Sequence, residues 1–236
     1  MIELGSIMMR ALFLALCVIA APAHAGVRAT YLRPDGGSTI IEVADSGDAR
    51  IGQLNDDEYG LLVQGRFYMV EAGENRTAVM SLDDIATAAG MVLPRDFGRL
   101  RKSPRARPGE SNLESDGAET VAGRVGSRFR MRHSDSAERL VVSDDPALRP
   151  VGAAMEGIAV ASVAAMGTLF GDAMSSEVLP HIRDMFARGA PLKTFDGWTL
   201  TTVEDAEISR DRVALPGVPL SAEDVVLRLR TRRLGR

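Results

Sequence analysis

The stretch from residue 151 to residue 174, VGAAMEGIAVASVAAMGTLFGDAM, places the strongest constraint on how this chain can fold. Only Glu156 and Asp172 are charged in it, and the other residues are apolar, small or hydroxylic. A helix that is apolar nearly all round is stable only in a protein core, beside a ligand cavity or in a membrane. The sequence therefore predicts a buried helix over residues 151–170, and these three surroundings set the range of functions.

The N-terminus has the three parts of a secretory signal peptide. Arg10 precedes an uncharged run over residues 11–21, and the small residues Ala23 and Ala25 follow before Gly26. Such a run is too short to span a bilayer comfortably, but it suits the apolar centre of a signal. We therefore expect a periplasmic protein, exported and cleaved after Ala25, so that residues 1–25 are removed.

Two details of this segment affect the exported chain. The single cysteine, Cys17, lies in the apolar run, and Leu16 stands where a lipoprotein anchor would need a small residue. The cleaved chain would then hold no thiol, so its stability must come from packing rather than from disulfides. The acidic Glu3 is unusual at the start of a signal, which favours Met8 or Met9 as the true first residue.

Residues 27–80 alternate short β-branched or apolar runs with turn signals such as Asp35-Gly36 and Ser46-Gly47. This pattern predicts an antiparallel meander joined by tight hairpins. The predicted strands are 27–32, 38–44, 49–54, 59–64, 66–72 and 77–80. A short helix is expected to begin after the capping residue Ser81 and to stop at Gly90.

Residues 94–118 differ sharply in composition from the rest of the chain. Six basic residues and three prolines come first, and an acidic stretch with almost nothing apolar follows. The composition predicts a disordered charged linker between two parts of one β-rich domain, residues 26–93 and 119–236. Its basic portion, Arg99–Arg107, is either a solvated segment or a contact to an anionic membrane surface.

Beyond the linker the pattern predicts strands at 119–125, 128–133 and 139–143, followed by the apolar helix. An amphipathic helix over 176–188 comes next, with Pro180 near its first turn and a stop at Gly189. A hairpin over 191–195 and 198–203 turns at Asp196-Gly197, and a last strand is expected over 207–215. Ser221 then begins a C-terminal helix with acids in its first turn and arginines toward its end.

Three arginines alternate along the predicted strand 128–133. Arg128, Arg130 and Arg132 would share one face of that strand, because side chains alternate between faces. This face is either a candidate anion-binding site or a solvent-facing row paired with cross-strand acids such as Glu119 or Glu138.

The residues that carry chemistry are few. After cleavage the chain holds only His133 and His181 and no cysteine, which excludes the usual zinc, haem and iron–sulfur ligand sets. No glycine-rich phosphate or dinucleotide loop is present, so we expect no cofactor. The adjacent His133-Ser134-Asp135 cannot converge as a catalytic triad, and the acid pairs Asp83/Asp84 and Asp144/Asp145 are explained as helix caps. One tryptophan and three tyrosines are too few for a nucleic-acid stacking platform.

The order of these features resembles the periplasmic lipoprotein-localisation carrier superfamily. The segments that carry the resemblance are 120–126, TVAGRVG, and the ending RVALP at 212–216. The resemblance implies an α+β fold, an antiparallel open half-barrel sheet with helices packed on its concave face, where residues 151–170 would be the plug. It also implies acyl-chain binding, although no functional residue of that family can be matched to a position here.

These observations favour a non-enzymatic periplasmic protein that binds an apolar ligand, lipid or acyl, or an envelope protein, between sheet and helices. The candidate lining residues face this space from the apolar helix: Met155, Ile158, Val163, Met166 and Phe170. The competing interpretation is that these residues are ordinary core, since methionine at helical spacing usually packs.

Two further alternatives remain open. One is an unrecognised hydrolase whose catalytic residues come from separate loops. The other is a membrane-associated envelope protein with the apolar helix inserted in the bilayer, suggested by its length and by the small residues Gly157, Ala161 and Ala165 at a spacing of four.

Overall fold

The computed structural model describes residues 25–53, 57–73, 76–93, 113–131 and 139–234. Within these ranges there are eleven strands: β1 (Ala25–Leu32), β2 (Ser38–Val43), β3 (Ala49–Gly52), β4 (Glu58–Val63), β5 (Arg66–Ala72), β6 (Thr77–Ser81), β7 (Leu113–Val121), β8 (Arg124–Met131), β9 (Leu140–Ser143), β10 (Ala190–Lys193) and β11 (Thr199–Glu207). They form one antiparallel open sheet in the order β6-β5-β4-β3-β2-β1-β11-β10-β9-β8-β7. The predicted α+β class with an open antiparallel sheet is confirmed.

Five α-helices accompany the sheet in the described part of the chain: α1 (Leu82–Val92), α2 (Arg149–Phe170), α3 (Asp172–Ala187), α4 (Arg210–Val213) and α5 (Ala222–Leu234). A 3-10 turn, Pro146–Leu148, leads into α2. Helices α1 and α5 begin as predicted, because the hydroxyls of Ser81 and Ser221 accept the backbone N–H groups of Asp84 and Asp224.

The strands of the first half match their predicted bounds to within two residues. Alternation fixes which face each residue takes, and the turns supply the positive φ that the hairpins need, at 84° for Gly36 and 83° for Gly47. In the first of these turns the Asp35 carboxylate accepts the N–H of Gly37 at 2.9 Å. This hydrogen bond lowers the pKa of Asp35.

The two halves of the chain meet in the middle of the sheet. Strand β1 pairs with β11 from Ala25 opposite Glu207 to Leu32 opposite Thr199. Segments on both sides of residues 94–112 therefore belong to one hydrogen-bonded sheet. Side chains from both segments also contribute to the main core.

The main core lies between one face of the sheet and α2, which crosses β10, β1, β2, β4 and β5. Leu148 and Val151 are fully buried there against Tyr31, Ile41 and Leu192. Each such side chain contributes about 1.5–3 kcal/mol when it leaves water. The apolar helix is thus anchored at its start by ordinary core packing.

Several predicted elements differ in the structure. The β7–β8 hairpin turns at Ala122-Gly123, with φ of 51° and 74°, and not at Gly126-Ser127. Gly126 instead lies within β8, because a side chain there would overlap Val141 and the carbonyl oxygen of Val142. Strand β7 starts at Leu113, inside the predicted linker, since its acids pair with basic residues of β8 rather than remaining solvated.

The predicted last strand over 207–215 is wrong. Strand β11 ends at Glu207, and Arg210–Val213 forms the helical turn α4, because Val213 buries against Ala44 and Ile208. Helix α1 also continues past Gly90 to Val92, since a glycine that adopts helical φ does not end a helix.

Prolines in the helices were also placed differently from the prediction. The helix predicted to begin at residue 151 begins at Arg149, with Pro150 as its second residue, because the N–H that proline lacks is one that a first turn leaves unpaired. Helix α3 begins directly after Gly171, so Pro180 lies in its interior.

Some predictions fall outside the described residues. These are the signal peptide up to residue 24, the linker from 94 to 112 with Arg99–Arg107, and the residues Arg132 and His133.

We expect trypsin to cut first within Arg99–Arg107 and the two fragments to stay together. The sequence there is basic and proline-rich, whereas the fragments share the β1–β11 ladder and the contacts of α1 with α2 and α5. Gel filtration of the digest should give one peak containing both fragments. Two separate peaks would show that the halves fold as independent units.

Tyr31 joins two strands across the core. Its side chain is fully buried, and its hydroxyl donates to the carbonyl oxygen of Pro191 at 2.8 Å. Burial raises the pKa of the Tyr31 hydroxyl above its usual value of about 10. Above about pH 10 the unfolded chain loses this proton while the folded chain keeps it, so stability falls as pH rises.

We expect Tyr31→Phe to lower the free energy of unfolding by about 1–2 kcal/mol at neutral pH, because the Pro191 carbonyl loses its donor. The same variant should lose less stability than the wild type as the pH rises above about 10, since the tyrosine that deprotonates on unfolding is gone. Urea titrations across that range measure both effects. Equal slopes of stability against pH in the two proteins would contradict the assignment.

Candidate functional site

The pair of helices α2 and α3, here called the apolar hairpin, is the candidate site. Helix α2 places Met155, Ile158 and Ala161 against the main core, where they are partly buried. Eleven residues along, about three helical turns, Met166 lies on the same side as Met155 but is 39 % exposed. The apolar side that packs on the sheet therefore continues into solvent toward the end of the helix.

The five predicted lining residues do not share one environment. Met155 and Ile158 face the core beneath α2, and Val163 is buried at 3 % exposure. Phe170, the last residue of the helix, is half-buried, and Met166 is exposed. Only the first two lie where sheet and helix meet, so the structure brings part of the predicted set together.

Helix α3 covers α2 but is itself loosely buried. None of the side chains described in α3, residues 175–187, is fully buried. Helix α3 packs chiefly on α2, and Met185 reaches the smaller cluster of Phe129, Leu140 and Val142. The hairpin is thus fixed to the sheet mainly through the first half of α2.

Glycines in α2 explain how closely the hairpin approaches its neighbours. A Cβ atom on Gly157 would lie 2.8 Å from a methyl of Leu62 on β4, and one on Gly167 would lie 3.0 Å from Cβ of Ser175 on α3. Ala161 and Ala165 also face the protein, as partly buried and buried residues. The small residues that suggested helix packing in a membrane are therefore used for packing within the fold.

Helix α2 with its preceding turn, Pro146–Phe170, is long and apolar enough to cross a membrane by length and composition. Core helices of soluble proteins share this property. Fewer than a quarter of the residues in its most apolar stretch are buried. The helix is therefore more exposed than a helix enclosed by a core.

The predicted anion site has its arginines paired with acids. Arg130 Nη2 lies 2.8 Å from Glu114 Oε2. Arg128 Nε lies 3.3 Å from Asp116 Oδ2 and donates to the Asp116 carbonyl oxygen at 2.8 Å. Asp116 also accepts Arg139 Nε at 2.9 Å. The partners come from β7, and Arg132 lies outside the described residues. Two of the three arginines thus hold carboxylates of their own chain.

A buried charge cluster lies on the sheet face opposite α2. Glu42 is 2 % exposed and accepts Arg28 Nη2 at 3.0 Å and Arg212 Nε at 2.7 Å. The hydrogen bond to Glu42 raises the pKa of Arg28. Ile41 and Val43 face the main core, so alternation sends Glu42 to the other face. The cluster fastens the segment between β11 and α5, which is a structural task.

Sequence reasoning missed this cluster. Arg28, Glu42 and Arg50 are direct cross-strand neighbours, and each is flanked by apolar residues, which was the available signal. Arg212 comes from 170 residues beyond Glu42, so no local pattern predicts that it closes the cluster.

A shallow depression of about 520 Å³ lies beside the β7–β8 turn, lined by residues of that turn and of the β9 end: Ala122, Gly123, Arg124, Val125, Ser143, Asp144 and Asp145. Arg124 is ion-paired to Asp145 across it. The Asp145 carboxylate also accepts the N–H of Ala147 at 2.9 Å, so it caps the 3-10 turn as predicted. The ion pair and the cap therefore explain why Arg124 and Asp145 lie here without a bound ligand.

The described residues contain no cluster of three or more His, Cys, Asp or Glu side chains that could hold a metal ion. His181, in α3, is half-buried, and His133 lies outside the described ranges. Comparisons with models of protein families, with curated proteins and with solved structures found no significant match. The resemblance to the lipoprotein-localisation carriers therefore stays a prediction.

Proposed function

We propose that this is an exported, non-enzymatic protein that binds an apolar ligand with an acyl chain beneath the apolar hairpin. The observation that carries the proposal is the exposure of α2, an apolar helix of which the sheet covers only one side. An ordinary surface helix would carry charge on its outer side, whereas α2 has Glu156 as its single acid. An apolar ligand bound between the sheet and α2 would give this helix further apolar contacts.

In this proposal the hairpin is a lid on the concave face of the half-barrel. Gly171 joins α2 to α3 at the free end, and Gly189 joins α3 to β10 at the fixed end. Raising the free end would uncover Leu62 and Ile51 on the sheet while the fixed end keeps Leu148 and Val151 in the core. The ligand would then lie between Leu62 and the part of α2 from Gly157 onward.

The magnitudes are compatible with such a movement. Burying one methylene group contributes about 0.8 kcal/mol, so ten methylenes of an acyl chain contribute about 8 kcal/mol. This equals a large part of the total stability of a typical domain, about 5–15 kcal/mol. Ligand burial could therefore offset the loss of contacts between α2 and the sheet without unfolding the rest.

The proposed periplasmic location rests on the predicted signal peptide, and the chain has no cysteine after residue 17. A periplasmic chain without disulfides must rely on its core, and a lipid in that compartment needs protection from water. Export and acyl binding are thus consistent with each other, and each can be tested alone.

The proposal is tested with a series of saturated fatty acids that displace a fluorescent fatty acid from the protein beginning at Gly26. If the chain is buried, affinity should rise about fourfold per methylene, which corresponds to about 0.8 kcal/mol. Ile158→Asn should weaken binding of every member, whereas Leu229→Asn, at an exposed position in α5, should not. Circular dichroism melting checks that both variants fold. Affinity that does not depend on chain length would contradict a buried acyl site.

A further inference from the structure

We propose that Arg50, on the sheet face opposite α2, binds a small oxyanion, which is a carboxylate or a phosphate group. The site is the unpaired corner of the buried charge cluster that Arg28, Glu42 and Arg212 form. It lies across the sheet from the apolar hairpin, so it does not depend on the proposed acyl ligand.

The strand register places Arg50 beside this cluster. Arg50 of β3 lies directly opposite Glu42 of β2, and Glu42 lies directly opposite Arg28 of β1. Residues that are directly opposite in an antiparallel pair project from the same face of the sheet. Ala49 and Ile51, the chain neighbours of Arg50, pack in or against the main core, so alternation sends Arg50 to the other face.

Arg50 is buried without a counter-charge. It is only 8 % exposed, and its guanidinium lies over the Tyr59 ring, 3.3 Å from the ring centroid. Within the described part of the chain the Arg50 guanidinium makes no hydrogen bond and no ion pair. Stacking on the ring uses the flat side of the guanidinium and leaves the N–H donors along its edge available. A buried charge with unpaired donors is unfavourable, and a bound anion would remove that cost.

Glu42 does not neutralise Arg50, because both of its oxygens are engaged by other arginines. Oε1 accepts Arg28 Nη2 at 3.0 Å, and Oε2 accepts Arg212 Nε at 2.7 Å. Glu204 of β11 pairs with Arg28 at 3.3 Å, on the side of β1 away from Arg50. Three arginines therefore share two carboxylates, and one positive charge remains at Arg50.

The shape and surroundings of this group favour a small oxyanion. The edge of a guanidinium presents parallel N–H donors that match two oxygens of one carboxylate or phosphate, whereas chloride offers a single acceptor atom. Helix α4 contacts β3 and β4, and its Arg212 reaches Glu42 on this face. The cover by α4 and the small exposed fraction of Arg50 leave room for a few atoms and not for a macromolecule.

The test is thermal unfolding of the protein in about 20 mM phosphate, acetate or chloride at one total ionic strength. Phosphate, acetate or both should raise the wild-type melting temperature by about 3–6 °C over chloride, as expected for a dissociation constant about tenfold below that concentration. A shift with one of the two anions alone would identify the group that the site takes. Arg50→Met should lose the shift. This variant should fold, because it removes a charge without a partner and leaves Glu42 with both of its own.

Arg130→Met is the matched control, because the Arg130 guanidinium already holds Glu114 at 2.8 Å. It should keep the whole shift. Arg50→Lys keeps the charge but loses the two-pronged edge, so it should keep less than about half of the shift. The arginine Nε–Hε nuclear magnetic resonance signal that is missing from Arg50→Lys should move saturably when phosphate is added to the wild type, a result that does not depend on the stability of Arg50→Met.

Two results would overturn the proposal. One is a wild-type melting temperature that is the same in all three anions. The other is an equal shift in Arg50→Met and in the wild type, which would show a general effect of these salts on the folded state.

Discussion

Gly189→Ala is expected to lower the melting temperature by on the order of 10 °C, corresponding to about 3 kcal/mol for a chain of this size. Gly189 has a φ of 135°, which residues with a side chain rarely adopt. A Cβ atom there would also overlap the carbonyl oxygen of Ser143 and lie 2.6 Å from its carbonyl carbon. Neither backbone strain nor this overlap can be relieved by turning a side chain, so the junction of α3 with β10 must shift.

Gly36→Ala is the matched control for this prediction. Gly36 has a φ of 84°, but nothing lies within 4 Å of the position its Cβ would take. Its replacement should cost only the backbone term, about 1–2 kcal/mol. Thermal unfolding followed by circular dichroism compares the two variants. Equal losses would show that close packing at the base of the hairpin contributes nothing.

The first half of the sheet could be predicted from sequence because its information is local. Turns at Gly36, Gly47 and Gly65 mark the strand ends, and two-residue alternation separates the core residues from the outer ones. The starts of α1 and α5 were equally predictable, since each capping serine acts on the N–H three residues later.

The errors came from contacts distant in sequence. The β7–β8 turn was displaced because Gly126 reads as a turn residue, whereas it is needed where β8 passes close to Val141. Residues 207–215 alternate like a strand, but Arg212 is drawn to Glu42 across the sheet and the chain turns there. Val141 and Glu42 are too distant in sequence to appear in the local pattern around Gly126 or Arg212.

The sequence predicted the helix of the candidate site but not which of its residues are covered. The apolar composition of α2 indicated a helix packed on the sheet, and its exposed continuation at Met166 could not be read from composition. Helical spacing places Met155 and Met166 on one side of α2. Met155 packs on the core and Met166 is exposed, and this difference depends on how far the sheet extends beneath the helix, which the local sequence does not show. The arginines of β8 were visible in sequence, while their partners Glu114 and Asp116 had been assigned to the linker.

The opening of the apolar hairpin can be blocked with an engineered disulfide. Gly157→Cys with Leu62→Cys would join the middle of α2 to β4, where a Cβ on Gly157 lies 3.7 Å from Cγ of Leu62. Gly152→Cys with Ala190→Cys would join the fixed end of α2 to β10, where the two Cβ positions are 3.0 Å apart. The Cβ–Cβ separation at 152 and 190 is slightly below the 3.5–4.5 Å typical of a disulfide, and at 62 and 157 the Cγ of Leu62 marks where a cysteine sulfur would lie. The chain has no other cysteine beyond Cys17.

Binding of a fluorescent fatty acid by these two proteins, oxidised and then reduced, tests the central claim most directly. We predict that the oxidised 62–157 protein binds at least about tenfold more weakly than its reduced form, a difference of about 1.4 kcal/mol. The oxidised 152–190 protein should bind as the wild type does, because its crosslink lies at the end that stays fixed. Binding by the oxidised 62–157 protein equal to that of its reduced form would contradict a ligand site beneath the hairpin.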